Sequence, residues 1–162
     1  MSKRPQDLLR LLTRAERLSV RRVQAVLDGF DCSVEAWRVL DLLSDGHGHN
    51  MTALADHAFL PAPSLTKLID QLVDQNLVFR RIDPADRRRV LAHLTPRGMQ
   101  RWQRMNREVR ADWVELEPLL GDLGEEQGAR LEMLLDQLAA ALEEGRSAVT
   151  TTRAERGAGR AR

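Results

Sequence analysis

Apolar residues recur at intervals of three and four over the first part of the chain, from Pro5 to Phe30. This spacing places them on one face of an amphipathic helix, which we expect to end near Gly29. A second amphipathic helix is predicted from Val34 to Leu43, because Ser33 is a good N-cap and the apolar spacing is again helical. The N-terminal region is therefore predicted to be helical.

Two shorter helices are predicted after a polar turn at Ser44–His49. Asn50 is the expected N-cap of the first, which runs from Met51 to Phe59. Prolines in the next four residues interrupt the pattern, and proline is tolerated in the first turn of a new helix. The second helix is predicted over Pro63–Gln75, with one apolar face and one polar, mostly short-chained face.

The apolar pattern then changes from helical to alternating spacing. Two short strands are predicted, over Val78–Ile82 and Arg89–Leu94. The charged loop 83–88 between them is short enough to make the pair a β-hairpin.

Helical spacing returns after the hairpin. Thr95 supplies an N-cap and Pro96 a first helical residue. We expect this long helix to end at Pro118 and Gly121, and a last helix to run over about Glu125–Glu144.

The order of short helix, turn, helix and hairpin is typical of a winged helix-turn-helix, which we assign to residues 33–96. Residues 5–32 and 97–145 are more apolar than one chain of this size needs, so we predict that they form a helical dimerisation region. Residues 146–162 lack periodicity and are predicted to be a disordered basic tail. The predicted fold is mainly α with a small β-hairpin wing, in a homodimer joined through its N- and C-terminal helices.

The charge distribution says more than the net charge of +1 over 162 residues. Between Arg80 and Arg107 there are nine arginines, and the only acids are Asp83 and Asp86. Such a basic segment matches what a phosphate backbone requires, although a solvated arginine-rich surface would have the same composition.

Composition also indicates a compartment. No apolar run approaches the roughly 20 residues that cross a bilayer, and the N-terminus lacks the pattern of a secretory signal. The single cysteine, Cys32, excludes an internal disulfide framework. We therefore expect a cytoplasmic protein without membrane contact.

The polar face of the helix at 63–75 carries short side chains that can approach base edges in a major groove. An ordinary solvent-exposed helix would show the same pattern, so the neighbouring hairpin is what favours DNA. With one residue from the preceding helix, the predicted DNA contacts are Thr52, Pro63, Ser64, Thr66, Lys67 and Gln71.

The hairpin loop concentrates positive charge at Arg87, Arg88 and Arg89. An arginine at such a tip can enter a narrow minor groove, where the negative potential is strongest. Asp86 is expected to hold the guanidinium of Arg88 in a fixed position. A solvated turn is the alternative interpretation.

The segment Asp83–Gly98 resembles the wing signature of the MarR (multiple-antibiotic-resistance regulator) family, D-x-x-D-x-R followed by L-T-x-x-G. Upstream, Leu54-Ala55 and Ser64–Leu72 resemble the family's two preceding helices. Asn76 stands where the family usually has glycine, and asparagine tolerates the same left-handed conformation. The resemblance is close over residues 33–100 and extends to the terminal helices by layout only.

The resemblance implies a triangular homodimeric transcriptional regulator that binds a pseudo-palindromic operator in double-stranded DNA. Its half-sites would lie about 10 bp apart. Ser64, Thr66, Lys67 and Gln71 would then face the major groove, and Arg88 the minor groove.

The resemblance further implies a repressor that a small phenolic or aromatic carboxylate releases from DNA. An anion sensor needs a cation near aromatic rings. The candidate ligand-binding residues are Arg14, Trp37, Arg38, His57 and Trp113. Surface or core roles for Arg14 and Trp113 are the alternative.

Other functions have weaker support in the sequence. Cys32 could act as a redox sensor, although it follows the first helix, whereas the sensing cysteines of this family lie within that helix. His47 and His49 with Asp45 are a weak metal signal, so we predict neither a metal nor a cofactor. The chain lacks a convergent nucleophile and base, which argues against an enzyme. A winged-helix module that binds only proteins is the remaining alternative, and the basic wing argues against it.

Overall fold

The computed structural model describes residues 5–115 and 125–158. The chain divides into two compact units, of which the first ends at Val114 and the second begins at Glu115. The first unit contains α1 (Pro5–Asp28), α2 (Val34–Leu43), β1 (His49–Asn50), α3 (Met51–Ala58), α4 (Ala62–Asp74), β2 (Val78–Ile82), β3 (Val90–Leu94) and α5 (Pro96–Val114). The second contains α6 (Glu125–Ala158). The predicted mainly α architecture with a winged helix-turn-helix is confirmed.

The core of the first unit lies where α2, α3 and α4 meet α5 and the sheet. Its largest side chains, each less than 2% exposed, come from nearly every element around it: Leu27, Val39, Leu40, Leu43, Leu54, Leu65, Ile69, Val78 and Met105. Burying a side chain of this kind contributes about 1.5–3 kcal/mol. The apolar face of α4 is thereby fixed inward, which leaves its polar face outward.

Two predicted N-caps form as expected. The Ser33 hydroxyl accepts a hydrogen bond from the Ala36 N–H over 3.1 Å, and the Asn50 side chain accepts one from the Ala53 N–H over 2.9 Å. Each side chain accepts from a backbone N–H that has no acceptor within its own helix, and so fixes where α2 and α3 begin.

The sheet has three antiparallel strands in the order β1-β3-β2. The sequence predicted the hairpin but not β1, which pairs His49 with Ala92 and Asn50 with Leu91. Two residues are too few to show alternation, so sequence reasoning assigned His49 to a turn. The strand joins the residues directly before α3 to the return strand of the hairpin.

The junction of α4, the hairpin and α5 depends on a close approach of backbones. Asn76 has a φ of 56°, which confirms the left-handed conformation expected there. The Thr95 hydroxyl donates to the Asn76 carbonyl over 2.8 Å and accepts from the Gly98 N–H over 2.9 Å. A Cβ at Gly98 would lie 2.0 Å from the Leu77 carbonyl oxygen, so the position excludes any side chain.

Most helix and strand boundaries agree with the sequence to within one or two residues. The helix α1 ends at Asp28 rather than Phe30, and α4 begins and ends one residue earlier than predicted. Differences of this size are expected at frayed ends. Pro118 and Gly121, expected to end α5, lie outside the described residues.

The C-terminal tail requires a correction. Residues 146–162 were predicted to be disordered, whereas α6 continues through Gly145 to Ala158. Alanine, arginine and glutamate are good helix formers, and each of the two glycines in this stretch, Gly145 and Gly157, costs only about 1 kcal/mol in a helix. Residues 159–162 are outside the described part of the chain.

None of the helices in the described residues is both long and apolar enough to cross a membrane.

Candidate nucleic-acid interface

Helix α4 presents the predicted major-groove residues to solvent. Leu65, Ile69 and Leu72 are buried on its inner face. The predicted contacts on its outer face are all exposed: Pro63, Ser64, Thr66, Lys67 and Gln71. The Thr66 hydroxyl donates to the Ala62 carbonyl over 3.0 Å, so what it offers outward is an acceptor. The face combines one cation with short polar groups, the chemistry that a base edge requires.

The first turn of α4 is suited to an anion. Pro61 occupies the N-cap position and provides no side-chain hydrogen bond. The N–H groups of the first turn therefore lack the acceptor that a serine or aspartate cap would supply. A phosphate at this end of the helix would supply it. Thr52, in the first turn of α3, is also exposed.

The wing is the hairpin of β2 and β3. Beyond the residues of β3 that pair with β1, it is a two-stranded ribbon. Its register runs from Val78 opposite Leu94 to Ile82 opposite Val90. Arg87 is exposed at the tip, and the side chain of Arg88 is 97% exposed. The tip thus holds cationic side chains away from the body of the protein.

Asp86 makes further contacts in the wing beside the one predicted with the Arg88 guanidinium. Its carboxylate lies 4.0 Å from Arg88 Nε but 3.3 Å from Arg89 Nε, so its closer ion pair is with Arg89. The same carboxylate accepts from the Arg88 backbone N–H over 3.1 Å. Asp83 caps the Ala85 N–H in the same manner over 2.8 Å. The two aspartates shape the turn through its backbone.

One contact between α4 and the wing was missed from the sequence. Arg80 in β2 donates to the Asp70 carboxylate in α4 over 2.7 Å. The two residues are ten positions apart on different elements, so no local pattern pairs them. The contact links the helix predicted for the major groove to the wing.

The five candidate ligand-binding residues lie in different surroundings. Trp37 packs against the core, and its indole Nε1 is buried without a hydrogen-bond partner among the described residues. The guanidinium of Arg38 lies over the Phe59 ring, 5.0 Å from its centroid. Arg14 lies on a face of α1 that it shares with other arginines. His57 is exposed on α3, and Trp113 is 40% exposed on α5.

The surroundings of Cys32 argue against redox sensing. Burial raises the pKa of the Cys32 thiol from 9.0 to about 11, although the charge of Arg101 opposes this shift. The thiolate is the reactive form of cysteine. At neutral pH the thiol is therefore protonated and slow to oxidise.

The loop before β1 holds a short hydrogen-bonded cluster. Asp45 accepts from the His47 backbone N–H and contacts the His49 ring Nε2, both over 2.7 Å. Over residues 5–115 and 125–158, no three histidine, cysteine, aspartate or glutamate side chains are placed to hold a metal ion. The contacts are those of a structural turn.

Comparison with known proteins shows which family the chain resembles. The sequence model of the MarR family matches residues 30–89. The HTH-type transcriptional regulator FarR of Neisseria gonorrhoeae is 28% identical over 110 residues, which cover 68% of this chain and 75% of FarR. The HTH-type transcriptional repressor IacR of Pseudomonas putida is 25% identical over 99 residues, 61% of this chain and 59% of IacR.

Solved structures support the same assignment. NadR in complex with 4-hydroxyphenylacetate superposes with a TM-score of 0.74 and 26% identity, over 86% of this chain and 96% of NadR. Its agreement extends beyond the segment that the family model matches, into the terminal helices. The chain is therefore similar to the MarR family over residues 30–89 and to NadR over most of its length.

Proposed function

We propose that this regulator binds a pseudo-palindromic operator as a homodimer, with α4 in the major groove and the wing tip in the minor groove. The observation that carries the proposal is the outward placement of the α4 polar face beside an arginine-bearing ribbon. Adjacent arginines on a ribbon repel one another, and Asp86 neutralises only part of their charge. Duplex phosphates supply the remaining negative charge.

The dimer is supported by apolar surface on the terminal helices. On α1, Leu8, Leu9 and Leu18 are each at least half exposed. On α6, exposed apolar side chains recur at helical spacing, namely Leu131, Leu134, Leu135 and Leu142. Apolar side chains that recur along an exposed helix usually mark an interface. A second copy of the chain would cover it and set the spacing of the two α4 helices.

We further propose repression that a small phenolic or aromatic carboxylate relieves. The buried Trp37 Nε1 has no hydrogen-bond partner in the part of the chain that the structure describes, and a ligand would supply the acceptor. The repressor name of IacR and the phenolic ligand of NadR favour the same function. The proposed setting is the cytoplasm, and no enzymatic activity is proposed.

The DNA test uses fluorescence anisotropy with a labelled fragment of the promoter of the protein's own gene. Lys67→Ala and Arg88→Ala are each expected to weaken binding by about 1–3 kcal/mol, roughly 5- to 150-fold. Each should also reduce the slope of log affinity against log salt by about 1. Arg110→Ala is the matched control, because it removes the same charge about 20 Å along α5 from the end next to the wing.

Wild-type affinity in both variants would contradict the proposed contacts. A wild-type protein that ignores the fragment at low salt but captures a protein partner would favour the interaction module instead. Circular dichroism of each variant separates lost contacts from lost folding.

A further inference from the structure

An exposed apolar pair lies at the outer end of the wing. Ile82 and Val90 face each other across β2 and β3, and they are 60% and 43% exposed. They are the last pair of the ladder, and directly beyond them the Asp83 N–H donates to the Arg89 carbonyl over 2.9 Å and closes the loop. The pair therefore lies between the sheet and the loop that carries the arginines.

The pair belongs to a face of the ribbon that begins in the core and is turned toward α4. Side chains alternate between the two faces of a strand, so Val78, Arg80 and Ile82 of β2 lie on one face. Val78 is 1% exposed, and Arg80 donates to the Asp70 carboxylate of α4 over 2.7 Å. Ile82 and Val90 lie one step further out, about 7 Å beyond Arg80, where both remain in contact with solvent.

The dimensions of a duplex bring this pair to the edge of the minor groove when the arginine tip enters it. The minor groove is about 6 Å wide. The two strands of a ribbon lie about 4.8 Å apart before their side chains are counted, so the ribbon is too wide to enter beyond its loop. Behind the tip, the ribbon meets the deoxyribose C–H groups that form the walls of the groove. An apolar pair suits that surface, whereas the arginines suit the phosphates and the negative potential of the groove.

We propose that Ile82 and Val90 pack on the deoxyribose wall of the operator's minor groove and so add an uncharged contact to DNA binding. The proposal rests on the proposed function, because it needs the wing to enter that groove. A cross-strand pair of β-branched residues also stabilises its own hairpin, but that effect involves no contact with DNA. Burial of apolar surface releases no counterions, so the contribution of the pair to affinity is independent of salt, unlike that of the arginines.

The direct test uses the two isoleucines of the chain, Ile69 and Ile82. Ile69 is buried on the inner face of α4 and serves as the internal control. Full-length protein with ¹³C-labelled isoleucine δ1 methyl groups is bound to the unlabelled promoter fragment, and NOEs between methyl and DNA protons are recorded by NMR. Ile69→Val assigns the two resonances. NOEs are expected from the Ile82 methyl group to the H1′, H4′ and H5′ sugar protons, and none from Ile69.

The outcomes of this experiment distinguish the proposed contact from the proposed function. A bound complex without sugar NOEs from Ile82, or with NOEs only to thymine methyl groups in the major groove, would overturn the contact and leave DNA binding intact. If sugar NOEs are missing and the Ile82 resonance of the free protein shifts with protein concentration, the pair is a contact between copies instead. Wild-type protein that does not bind the fragment would overturn both the function and the contact.

Substitution provides an energetic test of the same contact. Ile82→Thr combined with Val90→Thr keeps both side chains β-branched and makes the pair polar. In anisotropy titrations this double variant should bind the fragment about 4- to 15-fold more weakly, since each buried methyl or methylene group contributes roughly fourfold. The slope of log affinity against log salt should not change, whereas Arg88→Ala should reduce it by about 1.

Phe79→Thr is the matched control, because Phe79 is 43% exposed on the opposite face of the same strand. It should bind the fragment within about twofold of wild type. Wild-type affinity in the double variant, a reduced salt slope, or an equal loss in Phe79→Thr would each overturn the proposal. The NMR experiment needs no substitution in the hairpin, so it decides the question even if the double variant does not fold.

Discussion

Asp70 in the middle of α4 accepts a hydrogen bond from Arg80 in β2 over 2.7 Å. The pair joins the two elements that are proposed to enter adjacent grooves. Both side chains are partly exposed, so the ion pair contributes under about 1 kcal/mol to folding. We expect the pair to act mainly by fixing the position of α4 relative to the wing.

A double-mutant cycle on DNA binding tests this coupling. Arg80→Ala is expected to weaken operator binding about 3- to 10-fold, and by less than about 2-fold in an Asp70→Ala background. Anisotropy titrations at one salt concentration give all four affinities. Additive effects of the two substitutions would mean that Arg80 acts on the DNA alone.

Two substitutions at Asp86 distinguish the effect of its hydrogen bond to the backbone from the effect of its charge. Asp86→Asn keeps an oxygen that can accept from the Arg88 N–H, whereas Asp86→Ala removes it. One hydrogen bond contributes about 0.5–1.5 kcal/mol, so Asp86→Ala should lose about 2- to 12-fold in DNA affinity while Asp86→Asn stays within about 2-fold of wild type. Equal losses in both would instead assign the effect to the ion pair with Arg89.

Gly98→Ala is expected to destabilise the first unit. The added Cβ would lie 2.0 Å from the Leu77 carbonyl oxygen and 2.8 Å from Leu94 Cδ2, so the backbone must shift. We expect a loss of about 2–4 kcal/mol despite the better helix propensity of alanine.

Gly128→Ala in α6 is the matched control, because its Cβ meets nothing within 4 Å. It should stabilise its helix by up to about 1 kcal/mol. Urea denaturation followed by circular dichroism measures both. If Gly98→Ala left the free energy of unfolding unchanged, the junction would be looser than this contact implies.

The reactivity of Cys32 should depend on pH in a defined direction. Because its pKa is raised from 9.0 to about 11, the native thiol should react with a disulfide reagent about 100-fold more slowly at neutral pH than an unfolded cysteine. The reaction should accelerate up to about pH 11. The native state holds this proton more tightly than the unfolded state, so the thiol contributes stability below about pH 9 that is lost between pH 9 and 11.

A rate near that of free cysteine at pH 7.5 would contradict the buried setting. Reaction of the urea-unfolded protein provides the reference rate. Since redox sensing requires the thiolate, this measurement also decides on the redox alternative.

Local chemistry explains which features could be predicted from the sequence. The caps at Ser33 and Asn50 and the left-handed Asn76 depend on a few consecutive residues, and the hairpin on a short alternating run. The outward face of α4 follows from helical spacing alone. Each of these signals lies within about one turn or one strand of the chain.

The features that sequence reasoning missed are contacts between distant segments. The pairing of His49 with Ala92 joins residues more than 40 positions apart, and its strand is too short for a pattern. The bonds from Arg101 to the loop at Phe30 cross 71 positions. For Asp86, its bond to the Arg88 backbone N–H and its ion pair with Arg89 were missed beside the predicted pair with the Arg88 guanidinium, because a backbone cap leaves no pattern in the sequence.

The short strand β1 has a consequence for how the protein can meet its operator. It pairs with Leu91 and Ala92 only, so it anchors the base of the ribbon to the start of α3. Toward the tip, from Val90 outward, β3 has β2 as its single neighbouring strand. The ribbon can therefore flex at its outer end without displacing its inner end. We expect variants of the operator that differ in minor-groove width to be accommodated by bending of this outer segment, with the reading of the major groove unchanged.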